Sequence, residues 1–191
     1  MFYRLINAPR RSVQGCHALA VSLGVDLSMK RRHFLALFAV LPLTAHVPAR
    51  AQSPDPTGPQ PELPKEKLVI ATKGGQQHMF NVEMALTAEQ QAVGEMFRTS
   101  VPEDGGMLFD WGSPRTSIMW MKNTLVPLDM VFINPDGTIR SIAENTVPYS
   151  LAAIDSRGPV RATLELRGGT TARLNIRVGD TVRQRIFGNP P

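Results

Sequence analysis

What this sequence lacks narrows its chemistry before any motif is sought. Its 191 residues include one cysteine, Cys16, which lies in a leader segment. A chain that starts after that leader has no disulfide, no thiolate nucleophile and no cysteine metal site. Histidine is nearly as scarce: of four, only His78 falls beyond residue 51. No histidine metal cluster is expected, and a Ser-His-Asp triad would rest on His78 alone, which reads as a solvent-exposed bystander near a strand start. The apolar stretch at residues 34–47 is too short to span a bilayer.

An excess of positive charge in the body of the chain is missing too. The formal charge is +5, but residues 1–51 carry seven Lys and Arg against one acid, Asp26, while residues 52–191 carry fourteen against fifteen. The basicity belongs to the leader, so a search for nucleic acid would be misdirected.

That leader has the anatomy of an export signal. Lys30-Arg31-Arg32 precedes the apolar stretch, and Ala49-Arg50-Ala51 is an A-x-A pattern predicting cleavage after Ala51 and a periplasmic destination. The paired arginines before His33, Phe34 and Leu35 are compatible with twin-arginine or general secretory export. Signal peptides keep their basic region near the initiator, so translation is expected from Met29, with residues 1–28 a mis-called extension. Cys16 follows Val13-Gln14-Gly15, a faint likeness of a lipoprotein box, but no apolar segment precedes it.

Residues 52–64 are proline-dense and apolar-poor, which predicts a disordered linker. A single β-rich domain is expected over 65–188, since about 125 residues make one core and not two. Alternation marks strands at 68–72 and through Phe80, Val82, Met84 and Leu86, with a turn at Lys73-Gly74-Gly75. Thr87-Ala88-Glu89-Gln90 is a capping box, predicting a helix over 88–98 that lays Ala88, Ala92, Val93, Met96 and Phe97 toward the sheet. Gly94 weakens that helix and is expected at a close contact.

Further strands are expected at 107–109 and 117–122, with a turn at 110–114 between them. Asn134-Pro135-Asp136-Gly137 predicts a bulged hairpin between 130–133 and 138–142. After a looser region at 145–159, strands follow at 160–166, 172–178 and 181–187. About eight short strands and one helix, without a parallel β-α-β rhythm, point to a mainly β fold: a small antiparallel barrel-like or sandwich domain.

The chemistry concentrates in the stretch from Trp120 to Phe132. Lys122 and Asp129 are expected to face each other across a turn, bridged by Asn123. Lys122 then binds an anion or carbonyl group beside Trp120 and Phe109, or else Lys122, Asn123, Thr124 and Asp129 form a structural brace. No nucleophile or base stands out nearby, so no catalytic residue is assigned, and no metal or cofactor is expected. Trp120 and Phe109 read as core, and Trp111, beside Gly112, as the more exposed contact. Arg98 is expected to reach Asp110 or Glu165 in a buried ion network, or to rest at the surface beside the helix C-terminus. Arg173 and Arg177 would share one face of a strand, a candidate anion patch.

The ordered series Phe80-x-Val82-Glu83-x-Ala85-x-Thr87, Gly94-x-Met96-x-Arg98, Gly106-Met107-Leu108-Phe109, Trp120-Met121-Lys122-Asn123-Thr124, Pro127-Leu128-Asp129, Leu164-Glu165-Leu166 and Gly179-Asp180 resembles the family called domain of unknown function 192. The resemblance spans roughly residues 67–187. It implies a small, barrel-like β domain, often exported in bacteria, and no established reaction. The chain departs from the family pattern at Glu89-Gln90, where Glu-Arg is usual, and at Glu95, where an apolar residue is usual.

These features favour a non-enzymatic envelope module that binds a small ligand or a protein partner, with no nucleic acid. The alternatives are a hydrolase or lyase using Lys122 with Asp129 or Glu165, and a structural envelope protein meeting acidic surfaces through the arginine face.

Overall fold

The computed structural model describes residues 55–191, so the expected extension at 1–28, the signal peptide at 29–51 and cleavage after Ala51 lie outside the described residues. The strands are β1 (Lys65–Ala71), β2 (Gln77–Ala85), β3 (Gly105–Met119), β4 (Leu128–Ile133), β5 (Ile139–Ala143), β6 (Ile154–Arg167) and β7 (Thr181–Arg183). Two short helices, α1 (Ala88–Val93) and α2 (Thr170–Arg173), and a 3-10 turn at Arg185–Phe187 complete the described elements. The fold is mainly β: one sheet, in the order β5-β4-β6-β3-β2-β1-β7, curls into a half-barrel. It is not a sandwich of two sheets.

Every pairing is antiparallel except β2 with β3, which run parallel. The chain therefore contains a β2-α1-β3 crossover, which the sequence did not predict. A six-residue helix is too short to show the 3.6-residue rhythm that normally announces such a unit.

Period-2 alternation packs both faces of the sheet. Leu68, Ile70, Phe80, Val82, Met84, Leu108, Val131 and Leu164 build one core; Ala85, Met107, Phe109, Met130 and Phe132 build the other, on the opposite side of the same strands. Glu83 and Glu165 fall on the second side by the same alternation.

The capping box forms as expected: the Gln90 N–H donates to Thr87 Oγ1 at 3.3 Å, and the Thr87 N–H to Gln90 Oε1 at 3.0 Å. The helix nonetheless stops at Gly94 and does not run to residue 98. Gly94 takes φ 53° and ψ −133°, conformations that end a helix and favour glycine, and none of the residues of α1 is fully buried. Its expected close contact is present, since a Cβ there would lie 2.9 Å from Phe109 Cζ.

The hairpin at Asn134-Pro135-Asp136-Gly137 joins β4 to β5 with Gly137 at φ 85° and a register shift beside Ile133. The two strands expected at 107–109 and 117–122 are instead one long strand, β3, whose register against β6 breaks between Asp110 and Arg115. That bulge absorbs the residues read as a turn.

No strand forms at 172–178. Gly169 enters a left-handed conformation, α2 follows, and of Leu174, Ile176 and Val178 only Ile176 is fully buried. Residues 55–64, expected to be disordered, lie against the domain. Gln60 donates to the carbonyls of Gln90 and Gly94 at 3.1 and 2.9 Å, and Leu63 packs on the second core.

Candidate functional site

Strand register sets a row of side chains on the second face. Glu83 of β2 lies beside Met107 of β3, and Met107 beside Glu165 of β6. Two carboxyl groups are thus carried into the interior by the same alternation that buries their apolar neighbours. The segment after α1 brings two more charges over them, Glu95 and Arg98. It is held by Asn123, which adopts φ 55° so that its carbonyl accepts from the Phe97 N–H at 2.8 Å.

Arg98 binds Glu83 through both terminal nitrogens, at 2.6 and 2.8 Å. Burial works to raise the Glu83 pKa, but the Arg98 hydrogen bonds, together with the Leu63 N–H at 2.8 Å, outweigh it and hold the carboxyl below its usual range. Arg98 Nε lies 3.1 Å from Glu95 Oε2, close in charge but not aligned for a hydrogen bond. Glu95 is 3 % exposed, and its pKa is pushed up to about 7, chiefly by burial; Arg98 opposes the rise and Glu83 adds to it. Glu165, 4 % exposed, is held well above the usual range by burial and then by Glu95. Its Oε2 is buried with no donor in hydrogen-bonding geometry, although the nearby Glu95 backbone N–H moderates the rise.

Glu95 and Glu165 form the floor of an open cleft of about 340 Å3. Its walls are α1 and Gly94 on one side and, on the other, β3 through Phe109, Trp111, Arg115, Ile118 and Met119, followed by Trp120 just past the strand. Trp111 packs against Phe109 with ring centroids 5.7 Å apart and donates from Nε1 to Thr163 Oγ1 at 3.2 Å. The Arg115 guanidinium lies 4.0 Å over the Trp111 ring. Trp120 is 48 % exposed at the rim, beside the exposed Ile118. The expected roles of the tryptophans are therefore exchanged. Trp111 is tied into the core by the β3 bulge, and Trp120 stands where β3 has ended and alternation no longer turns it inward.

Lys122 and Asp129 do not meet. Lys122 Nζ pairs with the exposed Asp55 at 3.0 Å and lies 5.3 Å from the Trp120 ring centroid. Asp129 is fully buried and accepts from the backbone N–H groups of Asn145, Gly169 and Thr171, at 2.7, 2.9 and 2.7 Å, and from the Thr171 hydroxyl at 2.7 Å. Asn123 bridges nothing between them; its side-chain amide faces Met96 Sδ at 3.9 Å. Thr124 is buried, donates to the Lys122 carbonyl at 3.3 Å and lines the cleft.

Arg98 does join a buried ion network, but its pairs are with Glu83 and Glu95: Asp110 pairs with Arg161, and Glu165 feels the Arg98 charge without an ion pair to it. Arg173 ends α2 and Arg177 lies in the turn before β7, both exposed, so they share no strand face. His78 is half-buried in β2 rather than exposed. Glu95 and Glu83 were missed as site residues, although Glu95 is where the chain departs from the pattern it resembles. A charged residue between Gly94 and Met96 was the available signal.

No curated protein matches the sequence. Solved structures do. One, from Sinorhizobium meliloti 1021 and labelled a candidate transcription regulator, is 48% identical with a TM-score of 0.63, covering 65% of this chain and 96% of its own. Another, a protein of unknown function from Novosphingobium aromaticivorans DSM 12444, is 39% identical with a TM-score of 0.61, covering 63% and 86%. The model of the family described as "Uncharacterized ACR" matches residues 69–184. The chain belongs to this family, domain of unknown function 192.

Proposed function

We propose that this protein is an exported, periplasmic module that binds a small ligand in the cleft between α1 and β3 and performs no chemistry on it. The observation that carries this reading is Glu165 Oε2, buried and unpartnered at the floor of a cleft whose rim is the half-exposed Trp120. Buried polar atoms are rarely left unpaired, and an aromatic rim over a few convergent polar groups is how small-molecule sites are built. The leader supports export. A catalytic Lys122–Asp129 pair loses its geometric basis, because backbone N–H groups and Thr171 take up both Asp129 oxygens. The Sinorhizobium label does not redirect the reading: residues 52–191 carry no positive excess and α1 and α2 have six and four residues, too short to read a groove.

Thermal-shift screening of periplasmic metabolites against the full chain tests the binding role. A ligand at 100 times its Kd adds about 2.7 kcal/mol of stability, and Trp120→Ala should remove that gain. Stabilisation that survives Trp120→Ala places the ligand elsewhere and overturns the assignment. Amino-terminal sequencing of exported protein tests the leader: a start at Gln52 is expected, and an uncleaved chain contradicts export.

A further inference from the structure

The acid cluster sets three carboxyl groups against one paired cation. Three carboxyl groups, Glu83 from β2, Glu95 from the segment after α1 and Glu165 from β6, lie around one guanidinium, Arg98. Arg98 commits both terminal nitrogens to Glu83, which leaves Glu95 with an unaligned contact and Glu165 with no partner at Oε2. Lys65 of β1 adds a weaker charge interaction with Glu83, and Arg115 of β3 is exposed and lies against Trp111, on the wall and not at the floor.

We propose that the cleft takes an organic cation, an amine or guanidinium carried on an apolar body, with Glu165 as its counter-ion and Trp120 against the body. This rests on the ligand-binding reading above and names the class of ligand. The floor offers acceptors to a cationic donor and supplies the charge that a buried cation requires. The walls are Phe109, Trp111, Met119 and Trp120, and aromatic faces attract cations through their quadrupole. The Trp111 ring already carries the Arg115 guanidinium at 4.0 Å, so this wall accommodates such a group. An anionic ligand would meet Arg115 at the rim but find two carboxyl groups at the floor. Burial raises the Glu165 pKa and a bound cation would lower it, so any proton the carboxyl holds passes to solvent on binding and no covalent bond changes.

The test is calorimetry on the full chain with 2-phenylethylamine, agmatine and the neutral isostere 2-phenylethanol. At pH 8 at least one amine is expected to bind tenfold or more tightly than the alcohol. Titrations in two buffers of different ionisation enthalpy should show proton release on amine binding that increases as pH is lowered from 8 to 6. Between pH 8 and pH 6 the amine's affinity should fall, by up to about tenfold per unit, as protons must be expelled. Glu165→Gln should erase the preference for amine, and Glu95→Gln should weaken it if Glu165→Gln does not fold. Equal affinity for amine and alcohol overturns the cation assignment. If both probes bind equally and Trp120→Ala removes both, the cleft remains a ligand site and only its charge preference is wrong. If no probe binds or alters tryptophan emission at millimolar concentration, the cation assignment fails and the cleft reading loses its support with it.

Discussion

Arg98 grips Glu83 through both terminal nitrogens, at 2.6 and 2.8 Å, and so fixes the segment after α1 onto the sheet. Bidentate geometry makes this more than a surface ion pair, since the Glu83 side chain keeps only 5% of its exposure. Arg98→Met should leave Glu83 as an uncompensated buried charge and cost about 2–3 kcal/mol, below the fully buried case because Arg98 itself retains 18% exposure. Urea denaturation reads the loss, and a change under about 0.5 kcal/mol contradicts the brace.

Stability should fall as pH rises across the neutral range. Glu95 has a folded pKa of about 7 against an ordinary 4.5, so the folded state holds its proton more tightly than the unfolded state does. Its contribution is fully present below about 4.5 and is lost as pH rises through about 7, with a slope of up to about 1.4 kcal/mol per unit. Glu165, held well above the ordinary carboxyl value by burial, adds a decline of the same sign. Glu83 acts oppositely: its lowered pKa contributes stability above the ordinary carboxyl value, lost on acidification. Melting temperatures measured from pH 4 to pH 9 should therefore peak on the acid side, and Glu165→Gln should flatten the alkaline limb.

Lys122 and Asp129 should separate cleanly in mutagenesis. Lys122→Met removes a contact with the exposed Asp55 and should change stability by less than about 1 kcal/mol. Asp129→Asn turns an amide donor toward donors at Asn145, Gly169 and Thr171, and should cost about 2–3 kcal/mol. Amide hydrogen exchange at Gly169 and Thr171 should accelerate in Asp129→Asn alone. Comparable losses from the two variants would contradict the placement of Lys122.

Gly94→Ala should cost about 1–3 kcal/mol. The added methyl would sit 2.9 Å from Phe109 Cζ, in a φ that L-residues rarely adopt, and would crowd the cleft floor 3.6 Å from Glu165 Oε2. Chemical denaturation measures the cost, and a neutral substitution means that the chain after α1 shifts freely.

Patterns with a period shorter than their element were legible. Alternation in 77–85 and the Asn-Pro-Asp-Gly turn specify β2 and the β4–β5 hairpin because each depends on neighbours two to four residues away. The Thr87 cap was legible for the same reason. The end of α1 was not, because Gly94 is drawn out of the helix by packing on Phe109 of another strand. Residues 172–178 alternate like a strand, yet they form the end of α2 and a turn, since the buried carboxylates of Asp129 and Asp180 hold Gly169, Thr171 and Arg177 by their N–H groups.

The sequence by itself determined a mainly β domain, the family it belongs to and the alternation that sends Glu83 and Glu165 to one face. Only the tertiary structure decided which charges meet. Arg98 joins Glu83 and Glu95 rather than Asp110, Asp129 closes on backbone N–H groups rather than Lys122, and Trp120 is left at a rim. The physical reason is that ion pairing depends on distances of a few ångströms between strands far apart in sequence. The β2-β3-β6 register sets those distances, and no local pattern encodes it.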